Sequence, residues 1–180
     1  MIKISNFKFQ ISNFKKIDGF TFIELILYIS IVTLMLSAII PFAWNIIGGG
    51  VKSSAEQEVS SQARYVSERI KWEIRDATDI NSVSATSISL AKPNLSLNPT
   101  TIDLSTGKIR ITQGPAGTPY NLNSDDTTIT SLTFINYSSS DNKTKHIQFT
   151  FTIDDAYGSL RQEYQVPQVT IESSAEVRNN

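Results

Sequence analysis

One apolar stretch, from Phe20 to Ile47, constrains this chain more than any other feature of its sequence. It contains a single charged side chain, that of Glu24, and it ends at three consecutive glycines, Gly48–Gly50. As an α-helix it would be roughly 40 Å long, and the hydrocarbon core of a bilayer is ~30 Å thick. The sequence therefore predicts a transmembrane helix over residues 20–47.

Basic residues are concentrated on the N-terminal side of this stretch. Four lysines precede it within residues 1–19, and the next basic residue after it is Lys52. Positive charge beside a membrane span stays on the cytoplasmic side. We therefore expect a single-pass protein of the cytoplasmic (inner) membrane, with its N-terminus inside and the rest of the chain exported. A secretory signal peptide fits less well, because its apolar core is shorter and ends at small residues.

Composition argues against several classes of function. The chain has no cysteine and one histidine, His146, so we expect no disulfide, no thiolate metal site and no serine–histidine–aspartate triad. Beyond residues 1–19, acidic residues outnumber basic ones, so we expect no nucleic-acid binding. The sequence offers no nucleophile and base as a pair. We therefore predict neither an enzyme nor a cofactor.

Paired acidic residues are the remaining candidates for a metal site. Asp125–Asp126, Asp154–Asp155 and Asp141–Asn142 carry the oxygen ligands that calcium prefers. None of these pairs stands in the D-x-[DN]-x-[DN]-G pattern that organises a calcium loop. We interpret them as solvated turn residues and predict no metal site.

Residues 51–79 have the periodicity of an amphipathic helix, because apolar residues recur every three or four positions. Together with the preceding span this segment predicts one long helix. Each of the glycines costs about 1 kcal/mol of helix propensity relative to alanine, so residues 48–50 are the natural place for that helix to bend or melt. The recurring apolar residues are Val51, Ala55, Val59, Ala63, Val66, Ile70, Ile74 and Ala77.

Residues 81–172 are rich in serine, threonine and asparagine, with short alternating apolar runs that indicate β-strands. Residues 102–111 predict a hairpin, and further strands are predicted at residues 132–134 and 147–153. A last strand over residues 164–171 is interrupted by Pro167, which favours an edge position. The predicted fold is α+β: a long N-terminal helix followed by an antiparallel β-sheet head, residues 48–180, packed on the amphipathic half of the helix.

Glu24 is the most informative residue of the apolar stretch. A carboxylate in a membrane costs about 2.5–3.5 kcal/mol, so such a residue is expected to be functional and to need a cation. No lysine or arginine lies between Phe20 and Gly50. Cleavage between Gly19 and Phe20 would create a positively charged amine one helical turn from Glu24. The amine of one chain could then pair with Glu24 of another.

The segment from Gly19 to Ile26, GFTFIELI, resembles the processing and methylation motif of type IV prepilins and type II secretion pseudopilins. This chain and the members of that family share a basic leader, a glycine at the cleavage site, an aromatic first residue of the mature chain, a glutamate four residues later and a long apolar helix. Pro41 lies where members of this family often carry a helix-kinking proline.

This resemblance implies a type IV pilin-like fold and a cleaved leader, residues 1–19. It implies that a prepilin peptidase cuts after Gly19 and N-methylates Phe20, and that Glu24 acts in subunit assembly. The implied partners are that peptidase, other pilin or pseudopilin subunits, an inner-membrane assembly platform and membrane lipid. The implied location is the membrane, and then an extracytoplasmic or cell-surface pilus or pseudopilus.

A second segment, residues 67–79 or SERIKWEIRDATD, resembles the helix end of J-type minor pseudopilins and W-type minor pilins. The alternative is a generic amphipathic helix with Glu73 and Arg75 in solvent. We expect a structural subunit, and by this second resemblance a minor one. The rival from another class is a single-pass membrane-anchored extracytoplasmic binding module, which leaves the position of Glu24 unexplained.

Overall fold

A computed structural model describes residues 19–141, 143–158 and 166–178. It begins with one long helix, α1, from Phe22 to Arg75, and the chain divides into two compact units at Asn45–Ile46. The helix continues without interruption through Gly48–Gly50, which confirms the one long helix that the sequence predicts, and it does not melt at the glycines. Each residue added to an existing helix gains one hydrogen bond, and helix on both sides outweighs the glycine penalty.

The described residues of the N-terminal unit, 19–45, hold the apolar part of α1, and this helix is long and apolar enough to cross a membrane. Its aliphatic hydroxyls are satisfied within the helix. Ser30 donates to the Ile26 carbonyl at 2.8 Å, and Thr33 and Ser37 donate in the same way to carbonyls one turn earlier. These groups therefore need no water, which suits a hydrocarbon environment.

The C-terminal unit has one hydrophobic core, built from the second part of α1 and two β-sheets. The predicted apolar periodicity is confirmed: from Ala55 to Ile74 the recurring residues are buried, and Val51 is half-buried. The helix ends at Arg75 rather than at residue 79, and the first strand begins at Asp79. The intervening residues, Asp76 and Thr78 among them, are poor helix formers.

The strands form two antiparallel sheets rather than the single sheet that the sequence predicted. In the first sheet, neighbours in sequence are neighbours in space. The second sheet has three strands in the same simple order. The first contains β1 (Asp79–Val83), β2 (Ser87–Ala91), β3 (Thr100–Ser105), β4 (Lys108–Gln113) and β5 (Tyr120–Asn121); the second contains β6 (Thr127–Asn136), β7 (His146–Asp155) and β8 (Val169–Glu176).

Several strand predictions are confirmed. The predicted hairpin is β3–β4, and its turn places both Thr106 and Gly107 at positive φ. A Cβ on Gly107 would lie 2.4 Å from Thr128 Oγ1, so this turn requires glycine for space as well as for conformation. The last strand, β8, lies at an edge as expected, and it begins only after Pro167. Its predicted first residues, 164 and 165, lie outside the described residues.

Candidate functional site

Gly19, Phe20 and Glu24 lie together at the start of α1. Gly19 and Phe20 precede the helix and are exposed. Thr21 is the residue before the first helical position: its carbonyl accepts from the Leu25 N–H at 3.1 Å, and its Oγ1 accepts from the Glu24 N–H at 3.4 Å. These bonds are those of a helix N-cap at Thr21.

Glu24 is half-buried and lies in the first turn of α1. A negative charge there interacts favourably with the helix dipole, typically by about 0.3–1 kcal/mol. This local contribution is smaller than the cost of a carboxylate in hydrocarbon. Within the described part of the chain, Glu24 has no ion pair with a lysine or arginine. A cation from elsewhere would therefore still lower its free energy in a membrane.

Among the described residues, no contact requires a glycine at position 19. None of their atoms lies within 4 Å of the place where a Cβ of Gly19 would stand, and its φ is not positive. Phe20 is 73% exposed, and its ring meets the Tyr28 ring edge to face, with 6.0 Å between the centroids. A requirement for glycine at this position would thus come from a binding partner. The roles predicted for Gly19, Phe20 and Glu24 stay predictions.

The second unit contains a buried group of charges that the sequence did not predict. Glu73 is fully buried, so its predicted place in solvent is wrong, whereas Arg75 is exposed as predicted. Its two carboxylate oxygens lie 2.8 Å from Arg69 Nη2 and from Lys92 Nζ. Lys92, also buried, reaches Asp76 Oδ2 at 3.0 Å and donates to the Glu73 carbonyl at 2.9 Å. These contacts link the last turns of α1 to the end of β2.

A signal for this group exists in the sequence. Val66, Ile70, Glu73 and Ala77 follow one another at spacings of four, three and four, which places Glu73 on the buried stripe of the helix. A buried carboxylate needs a cationic partner. No comparable sequence pattern identifies Lys92 as that partner, because the contact between the end of β2 and the helix depends on the tertiary fold.

The acidic loop between β5 and β6 is occupied by a lysine side chain. Lys108 Nζ donates to the carbonyls of Ser124 and Thr127, the latter at 2.9 Å, and lies 3.5 Å from Asp125 Oδ1. An ammonium group thus takes the position that a cation would need in this loop. Among residues 19–141, 143–158 and 166–178, no three histidine or acidic side chains are grouped as metal ligands. Asn142 of the third acidic pair lies outside them.

Neither a known protein family, nor a curated protein, nor a solved structure matches this chain.

Proposed function

We propose that this chain is a structural subunit of a type IV pilus or of a type II secretion pseudopilus. It is processed after Gly19 and assembled through its N-terminal helix. The observation that carries the proposal is Glu24, the one charged residue of the apolar stretch from Phe20 to Ile47, one turn away from an exposed, non-helical Gly19–Phe20 peptide bond.

The geometry supplies a mechanism for assembly. Cleavage gives Phe20 an α-amine at the start of the helix, and the same chain carries Glu24 within its first turn. When two helices lie side by side with an axial offset, the amine of one meets the carboxylate of the other. Pairing lowers the free energy of each charge relative to an unpaired charge in hydrocarbon. Because only one axial offset brings the two groups together, the pair fixes the register of the two subunits. The apolar side chains of residues 22–47 supply the remaining contact.

The capacity to cross a membrane is consistent with the partners that this function needs. These partners are membrane lipid before assembly, the prepilin peptidase, an inner-membrane assembly platform, and other pilin or pseudopilin subunits afterwards. The resemblance of residues 67–79 to minor subunits supports a minor role. In that role the chain occupies a few positions in the filament rather than forming its bulk.

Processing is tested by expressing the full chain in cells with and without a prepilin peptidase. Intact mass and N-terminal sequencing of the membrane fraction should give a chain beginning at N-methylated Phe20 only when the peptidase is present. Gly19→Val is the control, because it should remain in the membrane and remain uncut. An uncut wild-type chain in both cells would favour a membrane-anchored binding module instead.

Assembly is tested with variants at Glu24. Glu24→Ala and Glu24→Gln should insert and be cleaved normally but fail to enter filaments, because both remove the charge that pairs with the amine. Glu24→Asp keeps the charge and should retain part of the incorporation. The amount of each variant in sheared filaments measures the effect. Normal incorporation of Glu24→Ala would exclude the pairing mechanism.

A further inference from the structure

The side chain of Thr21 defines where α1 begins. Its Oγ1 accepts from the Glu24 N–H at 3.4 Å, and its carbonyl accepts from the Leu25 N–H at 3.1 Å. Thr21 is therefore the N-cap, and Phe22 is the first helical residue. The contact of the Phe20 ring with Tyr28, 6.0 Å between centroids, holds the residue before the cap against the side of the helix. An apolar contact across the cap fixes the direction in which the chain enters a helix.

This start position leaves the Gly19–Phe20 peptide bond outside the helix. In the first turn of a helix the carbonyls accept i to i+4 hydrogen bonds and the backbone is held in the helical conformation, although the N–H groups stay free, whereas a peptidase needs an accessible, locally unfolded segment. The nearest preceding residue with a good capping side chain is Asp18. A helix capped there would include Gly19 and Phe20 in its first turn. The choice of cap thus decides whether the bond is accessible.

We propose that Thr21 is a positioning residue for processing: by capping α1 it keeps the Gly19–Phe20 bond in the non-helical form that the peptidase cleaves. The inference rests on the proposed function, since it needs a peptidase that cuts at this bond. The predicted processing motif assigns roles to Gly19, Phe20 and Glu24, but none in cleavage to Thr21. In this inference, the Thr21 cap favours a helix that begins at Phe22 over one that begins three residues earlier.

The experiment measures the rate of cleavage of the full-length precursor by a prepilin peptidase in detergent micelles. Thr21→Val keeps the shape of threonine but lacks the acceptor oxygen. Loss of a typical N-cap shifts the equilibrium between the two helix starts about five-fold, so we expect slower cleavage, with about five-fold as the upper limit. Thr21→Ser and Thr21→Asn restore a capping side chain of different shape, and both should be cleaved at nearly the wild-type rate.

Two further measurements separate capping from direct recognition of Thr21 by the peptidase. Adding Asp18→Ala to Thr21→Val removes the competing cap, and the rate should recover toward that of the Asp18→Ala single variant. Amide hydrogen exchange of the uncut precursor should show protection beginning nearer the N-terminus in Thr21→Val than in the wild type.

The outcomes distinguish this inference from the proposed function. A wild-type precursor that is never cut would refute the proposed function itself. A wild type that is cut, with Thr21→Val cut equally fast or with Thr21→Asn as slow as Thr21→Val, would overturn the positioning role and leave the proposed function intact. An unchanged start of amide protection in a slow Thr21→Val variant would likewise overturn it.

Discussion

Replacing Lys92 with methionine should destabilise the C-terminal unit by about 3 kcal/mol. Glu73 is fully buried, and its Oε2 has no hydrogen-bond donor of good geometry among the described residues. The ionic contact with Lys92 Nζ at 2.8 Å is therefore what offsets the burial of this oxygen. Removing one partner of a buried ion pair costs about 3–5 kcal/mol. The lower end applies because Arg69 still pairs with Oε1 at 2.8 Å.

The companion variant separates the loss of a charge partner from the loss of packing. Glu73→Leu combined with Lys92→Met removes both buried charges and leaves apolar side chains of similar size. Apolar replacement of a whole buried pair is often neutral or stabilising. The double variant should therefore recover most of the stability that Lys92→Met loses. Asp76, 42% exposed at its side chain, can be solvated by water in both variants.

Trp72 offers a local probe for this measurement. Its ring lies under the Arg69 guanidinium at 4.7 Å and under Lys92 Nζ at 5.3 Å, so its fluorescence should change when the unit unfolds. Trp44 is the other tryptophan of the chain, and Trp44→Phe removes its contribution to the fluorescence signal. Urea unfolding of the full chain in micelles then gives the free energy of unfolding. A Lys92→Met cost below 1 kcal/mol, or a double variant less stable than either single one, would refute the reasoning.

Three further predictions concern single positions of the C-terminal unit. Lys108→Met should lower the free energy of unfolding by about 1 kcal/mol, because it removes one of the hydrogen-bond donors of the Ser124 and Thr127 carbonyls, and calcium should not raise the wild-type Tm. Gly107→Ala should cost about 1–2 kcal/mol by urea unfolding, because alanine is strained at positive φ and its Cβ meets Thr128. The Lys145 ammonium, and then the Ile80 N–H, hold the pKa of Asp79 below its usual value. The stability from this carboxylate is present above its unfolded pKa of about 3.9 and is lost as pH falls through the lower folded value. Lys145→Met should therefore raise the Asp79 pKa in an NMR titration. It should also make the free energy of unfolding fall less steeply with decreasing pH in this range.

The parts of the fold that sequence predicts well are those with a local cause. The membrane-length helix follows from one apolar run, and the buried stripe from Ala55 to Ile74 follows from helical periodicity. The β3–β4 hairpin follows from alternation on either side of a glycine turn. Pro167, which cannot donate to a neighbouring strand, lies just before β8 and not in it, and β8 is an edge strand among the described strands.

The parts that sequence misses depend on contacts between distant segments. The strands β1 and β2 have only five residues each, and they are missed although Ile88 and Leu90 alternate with serines in β2 and are fully buried. The division into two sheets depends on which strands pair, and alternation does not encode partners. The pairing of Glu73 with Lys92 joins residues 19 positions apart on different elements.

Some of the candidate site is also local. The position of Glu24 and the Gly19–Phe20 bond could be recognised from spacing alone. The capping role of Thr21 is readable from its relation to Glu24, three residues later, although the apolar run draws attention away from it.

The three internally bonded hydroxyls of the apolar helix have a consequence for its neighbours. Ser30, Thr33 and Ser37 donate to carbonyls of their own helix, so none of them depends on a side chain outside it. Lipid tails and aliphatic side chains are equally apolar, and exchanging one for the other at these positions breaks no hydrogen bond. The helix can therefore leave a bilayer for a protein environment and return without a polar cost at any of the three hydroxyls.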